Sequence, residues 1–127
     1  MLKRHVIFRC AICGNITEVL QAGGGTLSCC GQPMDFLGEL SADSTVEKHV
    51  PHVHQDGNLV LVKVGEAQEH PMLDAHYILW IEILTNQGVH RKFLKPGDKP
   101  EASFQVSAEE MVLGAREYCN LHGLWKG

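Results

Sequence analysis

Apolar and polar residues alternate with a period of two in several short stretches, and other stretches are continuous apolar runs. No segment holds a period near 3.6 residues, so strands are expected and helices are not. Residues 16–20 alternate as a short strand, and the Gly23-Gly24-Gly25 run behind them requires a turn. Residues 58–64 form a β-branched apolar run, entered through Asp56-Gly57 and left through Gly65. Residues 76–84 make the longest strand candidate, apolar on both faces. Thr85-Asn86-Gln87-Gly88 turns the chain, and residues 89–94 return as the second arm of a hairpin. Lys95-Pro96-Gly97-Asp98-Lys99-Pro100 is a loop by composition. Residues 101–106 alternate with Phe104 and Val106 on one face, and residues 111–118 are read as the last strand, delivering Cys119 at its end. The expected fold is mainly β: an antiparallel β-sandwich of about seven short strands over roughly 80 residues.

The first thirty residues follow a different logic. Cys10-Ala11-Ile12-Cys13-Gly14 is a CxxC knuckle, with Gly14 available for the tight turn that points both sulfurs inward. Cys29-Cys30-Gly31 follows, completing a C-x2-C-x15-C-C pattern. A unit of about 35 residues is too small for a self-sufficient core, so a metal staple is expected. Tetrathiolate suits zinc and iron alike. The adjacent Cys29-Cys30 pair is the unusual feature, because neighbouring side chains normally diverge and a zinc ribbon more often uses a second CxxC. Residues 35–46 then turn small and polar and read as a linker. Residues 1–36 are therefore expected as the metal module and residues 37–127 as the sandwich.

Composition narrows the function classes. The 127 residues fit one ordinary domain, or a very small one attached to a modest one, and a hydrophobic share of 44% suits a globular protein. A net charge of −4 leaves no electrostatic footprint for nucleic acid. No apolar run approaches the roughly 20 residues that cross a bilayer, so no membrane span is expected. The basic start of the chain lacks the apolar region and cleavage site of a secretion signal, and a cytoplasmic protein is expected. Five cysteines is an odd number, and the four crowded at one end read as ligands rather than a disulfide framework.

The fifth cysteine opens a second problem. Cys119 has no local thiol partner, but His122 lies three residues on, and a thiolate and an imidazole so spaced can close on one metal ion. His49 precedes Pro51, which holds Val50 extended. His70 and His76 flank Pro71-Met72-Leu73-Asp74-Ala75, a loop able to turn both imidazoles toward one point. Three separated segments would thus converge where the loops of a sandwich cluster. His5, His52, His54 and His90 are read as surface or hydrogen-bonded residues.

These motifs carry a resemblance. Cys10, Cys13 and Cys29-Cys30-Gly31 resemble the desulforedoxin module, a small rubredoxin-like unit holding one iron by four thiolates. Glu47-Lys48-His49-Val50-Pro51, Glu69-His70-Pro71-Met72, His76-Tyr77-Ile78, Lys92-Phe93-Leu94-Lys95-Pro96-Gly97 and Tyr118-Cys119-Asn120-Leu121-His122-Gly123-Leu124-Trp125 resemble the superoxide reductases, in particular the two-domain desulfoferrodoxins, whose second domain is an immunoglobulin-like sandwich. The likeness covers nearly the whole chain.

The resemblance implies two iron ions per chain. Cys10, Cys13, Cys29 and Cys30 would hold one. His49, His70, His76 and His122 would ligate the other equatorially and Cys119 axially, opposite a position open to substrate. The implied reaction is one-electron reduction of superoxide to hydrogen peroxide. Glu47 would fill the open position in the ferric state. Lys48 would lie near the mouth to draw in the anion and place a proton-donating water. Apart from the resemblance, the backbone amides of Leu121 and His122 are close enough in sequence to reach the Cys119 sulfur and would tune its donation. A rubredoxin-type donor and a homodimer are also implied. Three alternatives are a closed-site electron carrier, a zinc-dependent binding protein and a blue-copper-like site. The last is disfavoured by four histidines where copper sites of that type use two.

Overall fold

The computed structural model describes residues 2–41, 49–66 and 68–127. The chain divides into two compact units, Met1–Gly38 and Glu39–Gly127. Among the described residues there is no α-helix, and none long and apolar enough to cross a membrane.

In the first unit, β1 (Ile7–Arg9) lies between β2 (Ile16–Glu18) and β5 (Asp35–Leu37), all antiparallel. The stretch read as linker therefore begins with a strand. Asp35, Phe36 and Leu37 pair with Arg9, Phe8 and Ile7, and the Phe8 and Phe36 rings meet edge-on at 5.9 Å. That pairing across 28 residues leaves no local trace in a polar stretch. Buried apolar residues are few: Val6, Ile7, Cys10 and Val19.

The remaining two strands, β3 (Ser28–Cys29) and β4 (Gln32–Pro33), form a hairpin in which Cys29 pairs with Gln32. Cys30 and Gly31 are its two-residue turn, at φ 54° and 78°. Positive φ at both positions is what a primed hairpin turn demands. The left-handed backbone at Cys30 also answers the difficulty of the adjacent thiols: it swings the second side chain round, and the two sulfurs lie 3.9 Å apart instead of diverging.

The second unit is a sandwich of two antiparallel sheets. One has the order β10 (Glu101–Gln105), β7 (Leu59–Val64), β6 (Pro51–Asp56). The other runs β12 (Gly123–Lys126), β11 (Val112–Cys119), β8 (Ile78–Thr85), β9 (Gly88–Phe93). Alternation on β7 sends Val60, Val62 and Val64 inward, against Ile81 and Ile83 of β8, Ala102 and Phe104 of β10, and Ala115 of β11. Each such side chain contributes about 1.5–3 kcal/mol when fully buried.

Two strands depart from expectation. Residues 51–56, for which no strand is expected, pair with β7 in unbroken register from Pro51↔Val64 to Asp56↔Leu59. The strand 111–118 is not the last, because Gly123 (φ 91°) turns the chain and β12 returns along β11 from Cys119↔Gly123 to Arg116↔Lys126. The outer face of β8 is buried too, by different chemistry. Trp80 stacks on Tyr118 at 5.0 Å. Glu82, fully buried, accepts hydrogen bonds from Arg91 Nε (2.8 Å) and Arg116 Nε (2.6 Å). A buried carboxylate is tolerated only when its charge is so matched.

Candidate metal centres

The sulfurs of Cys10, Cys13, Cys29 and Cys30 all lie within 4.8 Å of one another. The knuckle brings the first pair together, the Cys30 turn the second. The Cys13–Cys29 and Cys29–Cys30 separations, 3.6 and 3.9 Å, bracket the roughly 3.8 Å edge of a tetrahedron with metal–sulfur bonds of about 2.3 Å. Crowding also splits the acidities. The Cys13 amide donates to Cys10 Sγ and draws that thiol down to about 6. Hydrogen bonding with Cys13, then with Cys29 and Cys10, pushes Cys30 up to about 12. Four thiolates at this spacing need a cation among them, and the set fits one.

In the sandwich, four imidazoles form a near square. Ring centres are 4.8 Å apart for His49–His70, 4.8 Å for His70–His76, 5.0 Å for His76–His122 and 4.6 Å for His122–His49, with 6.3 Å across the His49–His76 diagonal. Neighbouring rings are steeply inclined, at 65–75°. An ion about 2.1 Å from each nitrogen would lie roughly 3.2 Å from each ring centre, giving a side of about 4.6 Å and a diagonal of about 6.5 Å. The observed square has those dimensions. Cys119 Sγ belongs to both halves, within 4.8 Å of the ligand nitrogens of His49 and His122 and also of those of His70 and His76. One sulfur thus serves all four rings.

Local structure prepares these donors. His70 Nδ1 donates to the carbonyl of Pro71 (2.7 Å), which fixes the tautomer and leaves a lone pair on Nε2. That Nε2 is buried without a hydrogen-bond partner among the described residues. Burial, the largest cause, lowers the His70 pKa to about 4 and keeps the ring neutral. Burial pushes the Cys119 thiol up, while the Leu121 and His122 backbone amides pull it back by favouring the thiolate.

Several supporting residues are invisible to a search for ligands. Asn120 joins two ligand segments: its Oδ1 accepts from Tyr77 N (2.9 Å) and its Nδ2 donates to Ala75 O (3.1 Å). Trp125 stacks on His49 at 4.9 Å and donates from Nε1 to His122 O. Gly65, at φ 83°, lies so close to the His70 turn that a Cβ there would meet Gln68 O at 2.2 Å and His70 N at 2.9 Å. Glu117, wholly buried two residues before Cys119, has its pKa pushed well up by burial. Asn120 and Trp125 sit inside the C-terminal motif, whereas only a lone glycine and a strand-interior acid marked the other two. Glu47 and Lys48 lie outside the described residues.

Comparison with known proteins matches residues 3–37 to the family model "Desulfoferrodoxin, N-terminal domain" and residues 41–127 to "Desulfoferrodoxin". A desulfoferrodoxin of Nitratidesulfovibrio vulgaris is 50% identical over 126 residues, covering 99% of this chain and 98% of that protein. A desulfoferrodoxin homologue of Archaeoglobus fulgidus is 51% identical over 120 residues, 94% of each. The crystal structure of the superoxide reductase from Treponema pallidum superposes with a TM-score of 0.83 at 33% identity, covering 98% of this chain and 99% of that one. The four-thiol cluster and the histidine–cysteine group fit the two iron sites of such proteins. Sequence, architecture and donor sets agree, and the chain belongs to the desulfoferrodoxin family.

Proposed function

We propose that this chain is an iron-dependent superoxide reductase, consuming one electron and two protons to convert superoxide to hydrogen peroxide. The observation that carries the reading is the square of four imidazoles sharing one buried sulfur. Likeness to the Treponema pallidum enzyme over nearly the full length supports it. We assign His49, His70, His76, His122 and Cys119 to the catalytic iron. Cys10, Cys13, Cys29 and Cys30 are assigned to a second, within a module of residues 1–36 ahead of the sandwich of residues 37–127.

Fe(II) bound to the imidazoles and thiolate supplies the electron that the reaction consumes. The remaining work falls to the chain. Cys119 would hold the ion as a thiolate, and its sulfur would supply electron density to it. The Leu121 and His122 amides temper that donation. Neutral imidazoles cancel no metal charge, so the site stays locally cationic and attracts a small anion to a protein of net charge −4. Trp125 covers one face of His49 and keeps water from that ring. Lys48 steers superoxide and holds a proton-donating water, and Glu47 closes the oxidised site, as the family resemblance implies. On the same basis a rubredoxin-type donor returns the electron and the protein works as a homodimer, while the clustered thiols of Cys10, Cys13, Cys29 and Cys30 favour the reducing cytoplasm.

Anaerobic purification with metal analysis, followed by superoxide added to the reduced protein, tests the assignment. Two irons per chain and one-electron oxidation without oxygen release are expected. Zinc in the histidine site, or iron indifferent to superoxide, would overturn it.

A further inference from the structure

The two halves of the imidazole square are built differently. His70 and His76 stand on one loop, closed by a pair of backbone hydrogen bonds between Leu73 and His76 (2.8 and 3.0 Å) and by His70 Nδ1 on the Pro71 carbonyl. His49 and His122 share no segment: one precedes β6, and the other lies in the turn between β11 and β12. Trp125 touches both. Its indole stacks on the His49 ring at 4.9 Å and 12°, and its Nε1 donates to the His122 carbonyl at 3.2 Å. We infer that Trp125, given the assignment of His49 and His122 to the catalytic iron, is a positioning residue that joins the two ligands no loop joins and holds their side of the square.

Three features make the indole a fixed reference for these ligands. Its backbone is held on both sides: Trp125 pairs with Glu117 of β11 and bridges Leu40, whose N donates to Leu124 O (2.9 Å) and whose O accepts from Lys126 N (2.8 Å). The Nε1 bond then fixes the rotation of the ring. Trp125 is 6% exposed and His49 1%, so close packing leaves neither ring free to tilt. The contact also suits a loaded site. An imidazole bound to a cation loses electron density to it, and the electron-rich face of an indole is the best aromatic surface for a positive neighbour. Metal binding therefore strengthens the stack that orients His49. At the other ligand, Nε1 holds the backbone of the turn in which Cys119 Sγ lies 3.8 Å from His122 Nδ1, so a shift there would move two donors together.

The test is chelator competition on iron-loaded protein, read by metal analysis and by the electron paramagnetic resonance of the ferric histidine site. Trp125→Leu removes both the stack and the hydrogen bond, and iron affinity at that site should fall by about 100-fold, the upper end of what is lost behind a metal ligand. Trp125→Phe keeps a ring over His49 and should lose only about tenfold. Both variants should change the ferric signal and leave the four-thiol iron as it is. Trp80→Leu controls for lost packing: Trp80 is as buried, at 5%, but stacks on Tyr118 at the outer face of β8. It should lower the melting temperature without changing either readout. Iron retention by Trp125→Leu equal to the parent, or equal iron loss in Trp80→Leu, would overturn the positioning role. A parent protein that holds no iron at the histidines would refute the ligand assignment and this role with it.

Discussion

Two regions hold metal-binding side chains in opposite ways. Around the four cysteines the strands run two or three residues, and among the described residues there only Val6, Ile7, Cys10 and Val19 are buried and apolar. The four imidazoles and Cys119 instead hang from a sandwich with strands of up to eight residues and a continuous apolar core. In the first case the ion supplies much of the stability that the chain lacks. In the second a continuous apolar core holds the strands, and the loops that carry the donors are anchored to it. Binding energy is spent on folding in one region and is available for reactivity in the other.

The sharpest way to break this contrast is to remove the ligands separately. Cys10→Ser with Cys13→Ser should unfold residues 7–37, since an apparent 10–16 kcal/mol of metal binding is tied to folding in small thiolate modules. Hydrogen exchange should then show those amides unprotected and β7, β8 and β11 unchanged. Loss of protection in both units would refute their independence. Cys119→Ser should do the converse: the sulfur-to-iron band of the catalytic site disappears while the sandwich keeps its cooperative melt. Survival of that band would overturn the assignment of Cys119 as a ligand.

Smaller effects sharpen the idea of a prepared site. Gly65→Ala forces a Cβ against Gln68 O and His70 N at positive φ, and should cost about 1–3 kcal/mol, with reduced iron retention at the histidine site. Denaturant unfolding and iron analysis would measure both. Asn120→Ala removes two hydrogen bonds between ligand segments and should cost about 1–3 kcal/mol, with the four-thiol module unaffected.

The smallest effect is a pH dependence within the sandwich. Glu110 accepts hydrogen bonds from Thr85 Oγ1 and His90 Nε2, which draw its pKa from 4.5 to about 2. Its folded pKa is below the unfolded one, so this contribution is present above pH 4.5 and fades as pH falls toward 2. Glu110→Gln should flatten that part of the acid stability profile. An unchanged profile would assign acid sensitivity to other groups.

Much of the molecule was legible in its sequence because period-two alternation and ligand chemistry are local signals. Val60, Val62 and Val64 point inward as their spacing demands, and the five sandwich donors converge on one place. What remained hidden depends on distant partners. Asp35–Leu37 is a strand only because β1 offers its edge. Leu124 and Trp125 extend the sheet because Gly123 reverses the chain beside β11. Glu82 reads as an interruption in an apolar strand until Arg91 and Arg116 arrive from elsewhere. The role of Asn120 likewise exists only where two loops meet.

The spacing of the donors along the chain has a consequence for assembly. The four sulfurs all lie between Cys10 and Cys30, a segment short enough to close its loops early. The imidazole square needs His49 and His122 together, and so must await the long-range pairing of β11 with β8. During synthesis the thiol module can therefore take its ion while the rest is still being made. The histidine site can be loaded only after the final strands have docked. Iron shortage late in synthesis would leave chains with one centre filled and the reactive one still waiting.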